Sequence, residues 1–208
     1  MTLIVHHLEN SRSQRVLWLL EELGISYDVK RYERDRKTML APPELKLIHP
    51  LGKSPIIEDN GTIVVETGAI IDYLVEKAEG RLGPPQEPQA SQRYRTFLHY
   101  SEGSLMPWLL VMLVIRRLGL LGRPAHPKVQ AMLNQHLDYL EAELSGREWF
   151  AGDQFTAADI MMSFPLETAR HRAGLDGSRP NLIRWLDRIH SRPAYNASLA
   201  RGGPYAYA

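Results

Sequence analysis

The rhythm of apolar and polar positions changes near residue 80. Before it, short apolar runs alternate with helical patterns; after it, helical spacing persists almost throughout. Leu3-Ile4-Val5 is a continuous apolar run, which predicts a short strand buried on both faces. Asn10 or Ser11 then stands where a helix cap is wanted, ahead of Val16, Leu19, Leu20 and Leu23 at helical spacing. Gly24 occupies the place where a helix end takes positive φ. Residues 27–32 read as a second strand, and strand, helix, strand in that order predicts a parallel pair. A short irregular or helical segment around 43–48 leads to two further apolar runs, 55–59 and 62–65. Asn60-Gly61 between them signals a two-residue hairpin, because both turn residues take positive φ. Residues 66–77 then form a helix with Ala69, Ile70, Tyr73 and Leu74 inward.

Gly80-Arg81-Leu82-Gly83-Pro84-Pro85-Gln86-Glu87-Pro88 concentrates helix breakers and reads as a linker. Beyond it, helices are predicted at 89–118, 127–145, 157–172 and 180–191, with a shorter one after Pro193. Thr156 and Asp159 have the spacing of a capping box, flanked by Phe155 and Ile160 as a hydrophobic staple. The fold class is therefore α/β plus all-α. A mixed-sheet domain, βαβαββα, spans 1–80, a linker spans 81–88, and an all-helical domain spans 89–208.

Composition narrows the function classes. The 208 residues are 44% hydrophobic and 24% charged, as in ordinary globular chains. A net charge of +1 gives no electrostatic case for nucleic acid. The apolar stretch 105–115 contains Pro107, ends at Arg116 and Arg117, and reads as a buried helix segment too short to span a bilayer. The first residues lack the pattern of a signal peptide, so a cytoplasmic protein is expected. There is no cysteine, which excludes disulfides, a zinc-thiolate site and a cysteine nucleophile. No metal site is expected, and any thiol chemistry must use a thiol brought by a ligand.

Three places carry candidate chemistry. Ser11-Arg12-Ser13-Gln14-Arg15 lies where the first strand meets the first helix, so a hydroxyl there joins unpaired N–H groups and the positive end of the helix dipole. Ser54-Pro55 opens a strand with a residue that cannot donate to the ladder, which calls for an edge, a bulge or a cis bond. Glu66-Thr67 begins a helix, where a hydroxyl and free N–H groups suit a carboxylate and Glu66 suits an adjacent ammonium. Each also has a plain structural reading, as a cap, a strand-opening proline or a helix-start charge.

Taken in order, Ser11…Arg15, His49-Pro50-Leu51-Gly52-Lys53-Ser54-Pro55, Glu66-Thr67-Gly68-Ala69-Ile70 and Phe155-Thr156-Ala157-Ala158-Asp159 resemble the glutathione S-transferase superfamily across essentially the whole chain. The resemblance implies a thioredoxin-like N-terminal domain, an all-helical C-terminal domain, a homodimer, and glutathione as co-substrate. It implies a cis Pro55, with the Ser54 backbone pairing with the cysteinyl part of glutathione. Glu66 and Thr67 would hold the γ-glutamyl end and Lys53 the glycine carboxylate. Ser11, four residues before Arg15, matches the catalytic serine of the serine-type (theta/delta-like) classes. Threonine at 67 replaces the more frequent serine. Where other classes carry a tyrosine, this chain has His6 and His7, expected to be structural or solvent-facing, and Ser13 and Asn10 are rival thiol partners.

A free thiol with a pKa of about 8.5 is only about 3% ionised at neutral pH, and lowering it by about two units makes the thiolate dominant. Ser11 is therefore expected to stabilise a thiolate rather than act as nucleophile. Met106, Trp108, Leu109 and Met112 are candidate lining for an apolar electrophile pocket, with Tyr205 and Tyr207 from the tail. The implied function is conjugation of glutathione to small hydrophobic electrophiles. Alternatives are a glutathione-dependent peroxidase or isomerase, or a non-catalytic binding or interaction protein on the same fold.

Overall fold

The computed structural model describes residues 3–208. The chain forms two compact units: residues up to Gly83 together with His190–Ala206, and Pro84–Ile189.

In the first unit, β1 (Leu3–Leu8), α1 (Ser13–Leu23), β2 (Tyr27–Tyr32), a 3-10 turn (Pro43–Leu47), β3 (Ile56–Asp59), β4 (Thr62–Val65) and α2 (Thr67–Lys77) follow the expected βαβαββα order. The sheet order is β2-β1-β3-β4. β1 runs parallel to β2, with His7 opposite Arg31, and antiparallel to β3. β3 and β4 form the hairpin around Asn60 and Gly61, whose φ values of 51° and 82° are both positive. Gly24 ends α1 at φ 62°.

Three local expectations are corrected. β1 continues through His6 and His7 to Leu8 instead of stopping at Val5; both histidines are buried, the structural one of the two places expected for them. α1 starts at Ser13 without a side-chain cap from Asn10 or Ser11. Asn10 takes φ 49° and its side-chain oxygen accepts the Ala206 N–H at 2.7 Å, while Ser11 Oγ accepts the N–H of Ser13 in a local turn. The buried face of α2 is Ile70, Ile71, Leu74 and Val75, with Ala69 exposed.

α1 is buried along every residue from Ser13 to Leu20. Sequence spacing leads one to expect a single inward face, but a second layer covers the other. That layer is α8 (Pro193–Gly202), which the sequence reading grouped with the helical domain. The Trp18 and Tyr195 rings meet edge-on at 5.2 Å, Gln14 Nε2 donates to Ser198 Oγ at 2.9 Å, and Arg192 forms a two-point ion pair with Glu22 at 2.5 and 2.8 Å.

The second unit consists of α3 (Pro88–Tyr100), a π-helical turn (Ser101–Leu105), α4 (Met106–Arg117), a 3-10 turn (Gly119–Gly122), α5 (His126–Glu143), α6 (Ala157–Arg172) and α7 (Pro180–His190). By length and composition, the run Pro88–Arg117 is enough to cross a membrane. Phe97, Leu98, Leu105, Leu109 and Met112 form its buried face in the helical unit, Leu110, Val111 and Val114 are exposed, and Ser101 Oγ donates to the Met161 carbonyl at 2.7 Å. The capping box at the start of α6 is present. Thr156 N–H and Oγ1–H both donate to Asp159 Oδ2, while Phe150 N–H and Trp185 Nε1–H donate to Oδ1.

Candidate active site at the end of the first strand

Where β1 ends, four side chains converge on the start of α1. Ser11 Oγ lies 2.7 Å from Ser13 Oγ, and Ser13 Oγ lies 2.8 Å from His7 Nδ1. The Leu8 N–H is shared between Ser13 Oγ and Ser54 Oγ, each at 3.2 Å. Ser54 Oγ–H in turn donates to the His6 carbonyl at 2.8 Å. These contacts follow from the fold. A central strand places His7 in the interior, the strand-to-helix turn brings Ser11 and Ser13 back over the strand end, and β3 begins beside it with Ser54. The Ser54–Pro55 bond is cis.

Burial lowers the His7 pKa to about 4, and the nearby Arg31 guanidinium adds to the shift, so the ring is neutral at physiological pH. Nε2 faces the backbone of Gly202 on α8, and a hydrogen bond to that backbone offsets part of the shift.

A second group forms at the start of α2. Arg15, 1% exposed, donates from NH2 to Thr67 Oγ1 at 3.3 Å and so links α1 to α2. Thr67 is buried, whereas Glu66 is exposed and carries φ 69°, an uncommon backbone state for a residue with a side chain. Lys53 is exposed and Pro55 buried.

Ser11, Ser13 and Ser54 thus share one hydrogen-bonded cluster, and Arg15 contacts Thr67. Lys53 and Glu66 lie at the surface. Met106, Leu109 and Met112 are buried in the helical unit, while Trp108 is partly exposed. Tyr207 packs against Phe164 and Arg172 in that unit. Asn10, a rival thiol partner, has its side-chain oxygen engaged by Ala206. Sequence reasoning gave His7 no part in the serine cluster and did not pair Arg15 with Thr67. The available signal was an ionisable residue continuing an apolar strand run, or placed mid-way along an apolar helix.

Comparison with known proteins agrees with this geometry. Residues 1–76 match the family described as glutathione S-transferase, N-terminal domain, and residues 105–193 match its C-terminal domain. Glutathione S-transferase 3 of Schizosaccharomyces pombe is 36% identical, over 92% of this chain and 84% of the relative. Glutathione S-transferase 1 of Saccharomyces cerevisiae is 33% identical, over 93% and 92%. A crystal structure of a glutathione S-transferase from Actinobacillus pleuropneumoniae superposes with a TM-score of 0.90 at 33% identity, covering 99% of this chain and 95% of that one. A glutathione transferase family member from Pseudomonas fluorescens, solved with two glutathione bound, gives 0.81 at 27% identity over 95% and 92%. With relatives of this identity aligned over most of both chains, this chain belongs to the glutathione S-transferase family.

Proposed function

We propose that the chain is a cytoplasmic, homodimeric glutathione transferase of serine type, conjugating the thiolate of glutathione to small hydrophobic electrophiles. The observation that carries this reading is the place of Ser11: a buried hydroxyl at the strand-to-helix junction, in one hydrogen-bonded cluster with Ser54 of the cis Ser54–Pro55 bond. In this reading the Ser54 backbone pairs with the cysteinyl portion of glutathione. Thr67, oriented by Arg15, takes the γ-glutamyl carboxylate at the α2 N-terminus, where N–H groups and the helix dipole favour an anion. Glu66 holds the neighbouring ammonium, and Lys53 meets the glycine carboxylate. Trp108 is the candidate contact for the electrophile, supported by its partial exposure on a helix that also leaves Leu110, Val111 and Val114 exposed. Met106, Leu109 and Met112, the other candidate lining residues, are buried in the same unit.

The chemistry follows from the charge that develops. A hydroxyl hydrogen bond to a thiolate is charge-assisted and contributes about 1.5–3 kcal/mol, equivalent to about one to two units of thiol pKa. Titrating bound glutathione by thiolate absorbance should show a depressed pKa in the wild type that rises by about that much in Ser11→Ala. The same pKa in both proteins would remove Ser11 from the mechanism. Formation of oxidised glutathione from a peroxide would point instead to peroxidase chemistry, and light scattering tests the dimer.

A further inference from the structure

The hydrogen-bond cluster at the end of β1 has a direction, fixed by donor and acceptor count. His7 Nε2 faces the Gly202 backbone, and a hydrogen bond to that backbone favours a proton on this side of the ring; in the neutral ring protonated at Nε2, Nδ1 carries a lone pair and can only accept. The atom facing it is Ser13 Oγ, whose single hydrogen is therefore given to His7. The Leu8 carbonyl, 3.3 Å from Ser13 Oγ, is a second possible acceptor for that hydrogen, but Nδ1 is nearer at 2.8 Å; with the hydrogen on that contact, Ser13 Oγ acts as acceptor toward the donors around it. It takes the Leu8 N–H at 3.2 Å and, at 2.7 Å, the hydrogen of Ser11. Ser11 Oγ also accepts the Ser13 N–H at 3.2 Å, which leaves it one free lone pair and no free hydrogen. The chain thus runs inward, from Ser11 to Ser13 to His7 to Gly202. Arg31, the register partner of His7 on β2, opposes a positive charge on the ring and so helps keep this direction.

We propose that Ser13 and His7 are positioning residues that hold the Ser11 hydroxyl hydrogen inward, so that the resting site receives glutathione as a protonated thiol. The proposal rests on the reading of Ser11 as the thiol partner. A free lone pair on Ser11 accepts from S–H and repels a thiolate. Ionisation therefore exchanges one bond for another: the thiol proton leaves to solvent, and the Ser11 hydrogen turns from Ser13 Oγ to the sulfur. Ser13 stays satisfied through this exchange, since it still donates to His7 and accepts from Leu8. No buried donor is stranded, and the switch needs only one hydroxyl rotation. Ser13 is thereby a competitor for the hydrogen that stabilises the thiolate, and His7 is what keeps Ser13 from supplying a hydrogen of its own.

Two measurements test this. NMR shifts of the two His7 ring nitrogens at neutral pH, in the unliganded wild type, report the tautomer without any variant. A protonated Nε2 with an unprotonated Nδ1 is expected; a protonated Nδ1, in either the other tautomer or the imidazolium, overturns the direction of the chain. The second measurement is the bound-glutathione titration of Ser13→Ala. Removing the competing acceptor frees the Ser11 hydrogen for the sulfur, so the ionisation constant of the bound thiol should rise roughly fivefold, the equivalent of about 1 kcal/mol for one neutral hydrogen bond. An unchanged or lowered ionisation constant overturns the proposal, and a fall is also what a direct Ser13–thiol contact would give. Ser11→Ala in the same titration separates the two readings. If it has no effect, the serine-type assignment fails, whereas the tautomer measurement still decides the direction of the chain.

Discussion

Asp159 is a fully buried carboxylate of the helical unit, and its substitution can be worked through atom by atom. The residue is 0% exposed and each oxygen accepts two hydrogen bonds: Oδ1 from Phe150 N–H at 2.9 Å and Trp185 Nε1–H at 3.2 Å, Oδ2 from Thr156 N–H at 3.0 Å and Thr156 Oγ1–H at 3.1 Å. Asp159→Ala strands all four donors. At about 1–3 kcal/mol for each buried group left unpaired, four donors amount to about 4–12 kcal/mol before relaxation, which reaches the 4–5 kcal/mol that marks exceptional substitutions. Asp159→Asn is milder because the amide can turn. With its oxygen toward Phe150 and Trp185, its NH2 faces Thr156, whose hydroxyl can rotate to accept. Only the Thr156 N–H is left without a partner, a loss of about 1–3 kcal/mol. Urea unfolding followed by tryptophan fluorescence reads the difference, since Trp108, Trp149 and Trp185 all belong to this unit. Alanine and asparagine variants of equal stability, or an alanine variant within about 1 kcal/mol of wild type, would refute the four-bond account. A pH series adds a sign. Burial raises the Asp159 carboxyl to about 6, so the stability it confers is fully present below the ordinary value of 3.8 and is lost as pH rises through 6. The wild type should lose roughly 3 kcal/mol relative to Asp159→Asn between pH about 4 and about 6.

His7 titrates with the opposite sign. Burial holds it down to about 4, so its stabilisation is present above 6.5 and lost as pH falls through 4. Acid unfolding of the first unit should be less steep over that range in His7→Leu, by up to about 3 kcal/mol; parallel curves would show that the ring does not titrate on unfolding. Gly202→Ala would place a methyl group 2.8 Å from Gln14 Oε1, 2.9 Å from Leu17 Cδ1 and 3.2 Å from His7 Nε2. Crowding these buried side chains should destabilise by about 1–3 kcal/mol, even though alanine is the better helix former; a higher urea midpoint would contradict that packing.

The parts of the molecule that were legible in the sequence are those written locally. Asn60-Gly61 specifies its hairpin through backbone conformation alone, and Thr156 with Asp159 specifies a helix start through two side chains three residues apart. The order of strands and helices followed from periods of two and 3.6 residues. The errors share a different cause. β1 is a central strand paired on both sides, so it has no polar face to alternate, and His6 and His7 looked like its end when they are its middle. The second buried side of α1 depends on a helix about 180 residues away in the chain, which no local pattern announces. The same limit applied to the site. Ser11, Ser54 and Thr67 could be named as candidates by resemblance, whereas their buried partners, Ser13 with His7 beside Ser11 and Arg15 beside Thr67, are brought together only by the fold.

The return of α8 to the first unit also has a consequence for biosynthesis. The sheet, α1 and α2 are all encoded before residue 84, yet the groups that cover α1 and fill the space beside His7 arrive with residues 190–203. A ribosome moving along this message will therefore have made the entire helical unit before the first unit can be completed. Until then the nascent chain carries an open flank of Gln14, Trp18 and Glu22 with no partner helix to receive it. The family's N-terminal domain, cut from the chain at residue 76, would remain in that unfinished state permanently.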